Sequence, residues 1–238
     1  MKSAASTKFR IGERVPGTEW IVRGVVGRGG MGTVYEVGKG QNIRAAMKVL
    51  HPALARSSAF EERFQAEVEV LARLRHPNIV WAWDCGLLSD GCPFFLMELL
   101  TGRNLRAVMR DKEMGLTAEV VWKIIGQVCV GLAHAHRDHP PVVHRDVKPE
   151  NVFLHGRRYG ESTVKLLDFG IATVLDATRS AEEVVGTPRY MAPEVLRKEP
   201  VSAKVDLYAL AVVVYELLTN RFPWRVDLRS LDAVRGAH

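Results

Sequence analysis

The hydrophobic period changes partway along this chain, and few folds accommodate such a change. From residue 20 to about residue 50 apolar and polar positions alternate, Val and Ile are frequent, and Gly falls at the turns. That is the pattern of strands joined as hairpins. Over 58–75 the period lengthens, with Phe60, Phe64, Val68, Leu71 and Leu74 recurring at helical spacing. Ser58 and Glu61 make a capping box at the start of this helix. His76-Pro77 ends it, because the residue before a proline is pushed out of the α region. Strand-like runs return at 79–87 and 93–99. Beyond Thr101-Gly102 the sequence turns helical, with long helices predicted at 117–136 and 202–219 and short strands at 152–154 and 164–167. A turn-rich stretch runs from Asp168 to Pro193. The expected architecture is α+β: a leader at 1–19, a small β-rich lobe with one helix at 20–100, a larger helical lobe at 101–238, and a cleft between the lobes.

Composition narrows the class. The chain is 47% hydrophobic and 25% charged, the balance of an ordinary globular protein. Lys and Arg number 33 against 27 Asp and Glu, and this surplus of +6 is interspersed rather than gathered in a block. No nucleic-acid partner is therefore expected. Cys85, Cys92 and Cys129 are too few for a disulfide framework and lack CxxC spacing, which fits a reducing cytoplasm. The N-terminal residues have no apolar core of signal-peptide length. The most apolar run, 207–218, carries Glu216 and falls short of the roughly 20 residues a membrane span takes. It reads as a buried helix, and no membrane segment is expected in the chain.

Three groups of residues carry chemistry. Gly27-Arg28-Gly29-Gly30-Met31-Gly32-Thr33-Val34 is a G-x-G-x-x-G-x-V. A dinucleotide-binding turn would continue as a helix, but Thr33-Val34-Tyr35-Glu36-Val37 continues as a strand. A glycine loop between two strands suits a flap whose backbone N–H groups lie over phosphates. Next, Lys48 stands in the apolar run Ala45-Ala46-Met47-Lys48-Val49-Leu50. Taken alone it reads as a solvated edge residue. Glu67, on the same helix face as Leu71, changes that reading, because an inward carboxylate needs a cation and Lys48 is the candidate. The third group is His144-Arg145-Asp146-Val147-Lys148-Pro149-Glu150-Asn151, followed by Asp168-Phe169-Gly170 and then Ala192-Pro193-Glu194.

The order glycine loop, Lys, Glu, HRD, DFG, APE resembles the eukaryotic-type (Hanks-type) Ser/Thr protein kinase family, in its bacterial branch, over about residues 20–223. The resemblance implies a bilobal protein-kinase fold and ATP-dependent phosphoryl transfer to Ser/Thr hydroxyls of proteins. Its cofactors would be ATP and Mg²⁺, with Mn²⁺ as the alternative ion. It implies Asp146 as catalytic base and Lys148 at the γ-phosphate. Lys48 would hold the α/β-phosphates, positioned by Glu67, and Asn151 and Asp168 would ligate the metal. Met97 would be the gatekeeper, with Glu98 and Leu100 offering backbone hydrogen bonds to the base. Val34 and Ala46 would cover one face of the adenine and Phe153 the other; the plainer reading makes them core residues. Arg145 would pair with an activation-segment phosphate on Thr178 or Ser180, with Thr173 less suited because it follows DFG closely. Gly186-Thr187-Pro188 and Glu194 would dock the substrate, and self-association would allow trans-autophosphorylation. Asp206 would accept backbone N–H groups of the HRD loop, the alternative being an exposed acid at a helix start. His134, His136, His139 and His155 show no metal-ligand spacing and read as surface or core residues, and His144 as packing.

The sequence departs from the family at its end. It stops soon after Arg221-Phe222-Pro223-Trp224, where relatives continue through further helices, so a helical lobe lacking its last helices is expected. An arginine partner for Glu194 has no candidate, and one outward face of the 202–219 helix would stay partly wet. A kinase-fold scaffold that binds ATP without turnover is the alternative function. A small-molecule phosphotransferase fits less well, since such enzymes lack the GTP…APE segment.

Overall fold

The computed structural model describes residues 8–29, 32–51, 69–70, 72–111, 116–156, 161–169 and 188–224. The chain divides into two compact units, Met1–Ala72 with Trp81–Leu100, and Arg73–Val80 with Thr101–His238.

The first unit is a five-stranded antiparallel sheet of β1 (Ile21–Gly29), β2 (Gly32–Lys39), β3 (Ile43–Leu50), β4 (Ala82–Leu87) and β5 (Pro93–Met97), in the order β1-β2-β3-β5-β4. Because side chains alternate across a strand, the register sorts the residues onto two faces. Tyr35, Met47 and Leu96 are aligned across β2, β3 and β5, and they lie on the face that builds the unit's core with Val37, Ala45 and Phe94. Val34, Ala46, Lys48, Phe95 and Met97 occupy the opposite face.

Residues 8–19, expected as part of a leader, pack against this sheet. Arg14 bridges Ile21, Phe9 and Val15 are buried, and the Phe9 ring lies 5.4 Å from that of Tyr35. Lys8 adds an ion pair to Asp90 at 2.5 Å, and its backbone N–H donates to the Tyr35 hydroxyl. The apolar residues are too sparse in this segment to show a period, yet Phe9 and Val15 fill places in the core, while Ile11 is exposed. Of the helix predicted at 58–75, residues 69–70 and 72–73 are helical, and 52–68 lie outside the described residues.

The second unit has a small sheet of β6 (Gly102–Asn104), β7 (Val152–His155) and β8 (Thr163–Leu166). Its helices are α1 (Leu105–Arg110), α2 (Ala118–His136), α3 (Pro193–Leu196) and α4 (Lys204–Thr219). Asn104 caps α1 by accepting the Ala107 N–H, Thr117 caps α2 by accepting that of Val120, and left-handed Asn220 closes α4. Helix α2 is long and apolar enough to cross a membrane by length, but Val121, Ile124, Ile125, Val128 and Leu132 are buried inside the unit. Helix α4 buries Val205, Ala209, Leu210, Val212 and Val213, while Leu207, Tyr215 and Leu218 remain exposed. The segment Arg73–Val80 belongs to this unit because Val80 donates to the Leu166 carbonyl and Leu166 donates to that of Asn78.

A polar network ties α1 and α4 to two loops, and no local pattern in the sequence announces it. Arg106 donates to Glu150 at 2.9 Å and to Glu216 at 2.7 Å, and its guanidinium also reaches the Tyr190 hydroxyl. Tyr190 in turn donates to Glu216 at 2.6 Å. Burial alone would lower the Arg106 pKa, but the bonds to Glu216 and Glu150 hold it above its usual value. Burial and the bond to Glu216 push the Tyr190 phenol up. Glu216 is 92% enclosed at its side chain, so it depends on this cation. Arg106→Ala should therefore cost about 3–5 kcal/mol in urea unfolding. Arg106→Met combined with Glu216→Gln, which removes both charges and keeps an acceptor for Tyr190, should recover most of that loss.

Candidate active site

The candidate catalytic loop, residues 144–151, is held at its start by Asp206 in the first turn of α4. Asp206 is fully buried; it accepts the backbone N–H groups of His144 and Arg145, each at 2.8 Å, and His136 Nε2 lies 2.7 Å from its Oδ2. The reading of an exposed helix-start acid is thereby excluded. His136, expected to be a plain surface or core residue, is a partner of this carboxylate. Bonding of this kind is what makes a buried carboxylate tolerable. Arg145 adopts a left-handed backbone with φ of 65°, uncommon for a non-glycine residue, and Asp206 stabilises the turn that contains it.

This turn places three side chains together. Lys148 Nζ donates to Asp146 Oδ2 at 2.6 Å, and Asn151 Nδ2 donates to the same oxygen at 3.0 Å and to the Asp146 carbonyl at 2.8 Å. Both side-chain contacts fall on Oδ2, so among the described residues Oδ1 is the oxygen left to receive a proton. The Asn151 nitrogen is occupied by Asp146, which leaves its Oδ1 as the oxygen a hard cation would take. Asn151 is also pinned through its backbone, whose carbonyl accepts the Leu167 N–H at 2.9 Å. One residue further, Asp168 is half-buried with φ of 60°, a second strained non-glycine position. His144 and Phe169 are buried with ring centroids 4.4 Å apart, so this histidine packs. Asp146 borders a concavity that is also lined by Arg145, Tyr190, Met191 and Ala192.

The first unit carries the other candidates. Lys48 is 6% exposed on β3, the middle strand of the sheet, so it is not the solvated edge residue it resembles in isolation. Its Nζ lies 5.7 Å from the centroid of the Phe95 ring. Glu67, its expected partner, lies outside the described residues, as do Gly30 and Met31. Gly27 and Gly29 pair with Val34 and Gly32 across β1 and β2, and a Cβ added at either would meet open space. Neither glycine is required by internal packing, so their bareness leaves a smooth backbone surface. Gly32 differs, since a Cβ there would come within 2.2 Å of the Val49 carbonyl oxygen. Arg28 is exposed. Val34, Ala46 and Met97 share the face of Lys48, opposite the unit's core. The Glu98 N–H donates to the Trp81 carbonyl at 3.0 Å, so a contact to a base there would use the Glu98 carbonyl oxygen. Leu100 is half-buried.

In the second unit Phe153 is half-buried on β7, paired with Asn104 and Lys165. Glu194 on α3 is half-buried, and burial together with its charge pushes the Tyr208 phenol up to about 12. Thr173, Thr178, Ser180, Gly186 and Thr187 lie outside the described residues. Arg106, Tyr190 and Glu216 adjoin the site through Glu150 and were not singled out by sequence reasoning.

Comparison with known proteins accounts for this arrangement. The profile of the protein kinase domain matches residues 20–235. The chain is 42% identical to the serine/threonine-protein kinase Pkn1 of Myxococcus xanthus, over 90% of this chain and 30% of that protein. It is 37% identical to pkn3 of the same organism, over 88% of this chain and 39% of that protein, and so spans well under half of either relative. The crystal structure of the Mycobacterium tuberculosis PknI kinase domain superposes with a TM-score of 0.70 at 31% identity, covering 96% of this chain and 86% of that one. The fold, the motif order and these matches agree: the chain belongs to the protein kinase domain family.

Proposed function

We propose that this chain is a Ser/Thr protein kinase domain that transfers the γ-phosphate of ATP, with Mg²⁺ or Mn²⁺, to hydroxyls of protein substrates. The observation that carries the reading is the Lys148–Asp146–Asn151 cluster on a turn anchored by Asp206. Phosphoryl transfer asks little covalent chemistry of a protein; it asks for positioning and for neutralisation of phosphate charge. Asp146 Oδ1 orients the acceptor hydroxyl and takes its proton as the new bond forms. Lys148, 2.6 Å from Asp146 Oδ2, places a positive charge beside the transferred phosphoryl group. Asn151 and Asp168 supply the oxygen ligands for the metal ion, which neutralises phosphate charge when bound.

Lys48 engages the α/β-phosphates under the bare backbone of Gly27 and Gly29. Val34, Ala46 and Met97 offer the apolar surface for the adenine within the first unit, with Glu98 and Leu100 contributing backbone groups. Lys148 within HRDVKPEN supports Ser/Thr over Tyr specificity. Thr187 and Glu194 dock the substrate, and Arg145 receives a phosphate placed on Thr178 or Ser180 by a second copy of the chain. The three free thiols support a cytoplasmic setting.

Two variants separate these roles. Asp146→Asn should keep Mg-ATP affinity within about 2-fold while transfer to a generic protein substrate falls by about 10²–10⁴-fold. Asp168→Asn should weaken nucleotide binding in the presence of Mg²⁺ and leave the metal-free affinity nearly unchanged. Transfer at the wild-type rate by Asp146→Asn would overturn the assignment.

A further inference from the structure

The segment Arg73–Val80 holds a histidine that neither the motifs nor the proposed chemistry uses. His76 is half-buried in the segment Arg73–Val80, and its Nδ1 accepts the Asn78 N–H at 3.0 Å. An imidazole nitrogen that accepts carries no proton, so this arrangement requires neutral His76. The turn it closes leads into a clamp. The Asn78 side chain, in a residue only 7% exposed, donates to Gln127 Oε1 at 3.0 Å and to the Val164 carbonyl at 2.9 Å. The Asn78 carbonyl accepts the Leu166 N–H at 2.9 Å, and Val80 donates to the Leu166 carbonyl at 2.9 Å. The first N–H past β8, that of Leu167, donates to the Asn151 carbonyl, and Asp168 follows directly. A continuous path of hydrogen bonds and backbone thus runs from the His76 ring to both candidate metal ligands.

The surroundings of that ring oppose a positive charge. The His134 ring, on α2, stacks on it at 4.8 Å with 29° between planes, and Lys165 of β8 adds a cationic group. Burial first, then His134 and Lys165, hold the His76 pKa below the usual histidine value of about 6.5. Protonation would place a hydrogen on Nδ1 facing the Asn78 N–H and a charge against the His134 ring and near Lys165. We propose that His76 is a positioning residue for the Asn151–Asp168 pair, and that its protonation releases the Asn78 clamp and weakens metal–nucleotide binding in acid. The proposal rests on the metal-binding role given above to those two residues. The sign follows from linkage. For a base whose folded pKa is lowered, nothing is lost above about pH 6.5, and the clamp weakens as pH falls below that value.

The test compares wild-type protein with His76→Asn, whose Oδ1 accepts the i+2 N–H as an Asx turn and does not titrate. Two quantities are followed from about pH 7.5 to about pH 5.5: Mg-ADP affinity by calorimetry, and amide-exchange protection at Leu166 and Leu167 without nucleotide. In wild-type protein both should fall by about 2–10-fold more than in the variant, the range spanned by one hydrogen bond. His134→Gln, which leaves the acceptor in place and removes the stacked imidazole that opposes a charge on His76, should move the wild-type transition to higher pH. Parallel behaviour of wild-type and His76→Asn across the range, or an unmoved transition in His134→Gln, would overturn the proposal. Protection that responds while Mg-ADP affinity does not would overturn its link to the metal pair. Absence of Mg-ADP binding to wild-type protein at about pH 7.5 would instead remove the kinase reading itself, and this proposal with it.

Discussion

Asp206 is enclosed between α4 and the catalytic loop, and it bonds to three groups that sequence distance would scatter. Its oxygens accept the N–H groups of His144 and Arg145 and face His136 at the end of α2. A buried carboxylate without such partners would be costly, so charge, loop and helix are stable only together. The left-handed conformation of Arg145 is one consequence, because the turn must aim two successive N–H groups at one side chain. The meeting of Lys148 and Asn151 on Asp146 is another, since those residues follow directly from that turn. The chemistry proposed for the chain depends on a contact that itself performs none of it.

The sheet of the first unit separates two tasks by face. Tyr35, Met47 and Leu96 point into the core, while Val34, Lys48 and Met97, one residue along each strand, point away from it. A shift of register by a single residue would exchange the two sets. Residues 8–19 lie on the core side through Phe9 and Val15 and reinforce the face that carries no candidate function. The glycines of the β1–β2 loop divide in the same way: Gly32 is demanded by the nearby Val49 carbonyl, whereas Gly27 and Gly29 answer to no internal neighbour.

What was legible in the sequence was whatever a short spacing encodes. Strand alternation, the helices at 118–136 and 204–219, and the HRD-x-K-x-x-N and DFG motifs each lie within a few turns of chain, so their periods and order survive as text. Burial of Lys48 was not legible locally, because a strand's place in a sheet depends on pairings made elsewhere; only Glu67 hinted at it. The Arg106 network was invisible for a related reason. Arg106 reaches Glu150, Tyr190 and Glu216 across 44, 84 and 110 residues, and no local pattern links them. His136 was passed over on the same grounds, as its partner lies 70 residues away. The packing of residues 8–19 was not legible because three apolar side chains in a polar segment establish no period, although Phe9 and Val15 are buried.

The central claim is that Asp206 acts by shaping the catalytic loop and not by touching nucleotide. The most direct measurement is single-turnover phosphoryl transfer alongside Mg-ATP affinity in Asp206→Asn, which keeps the size of the side chain and turns one acceptor into a donor facing an N–H group. The account predicts transfer reduced by about 10²-fold or more, with affinity changed by less than about 3-fold, because only positioning is lost. Transfer at the wild-type rate in a folded Asp206→Asn protein would contradict it.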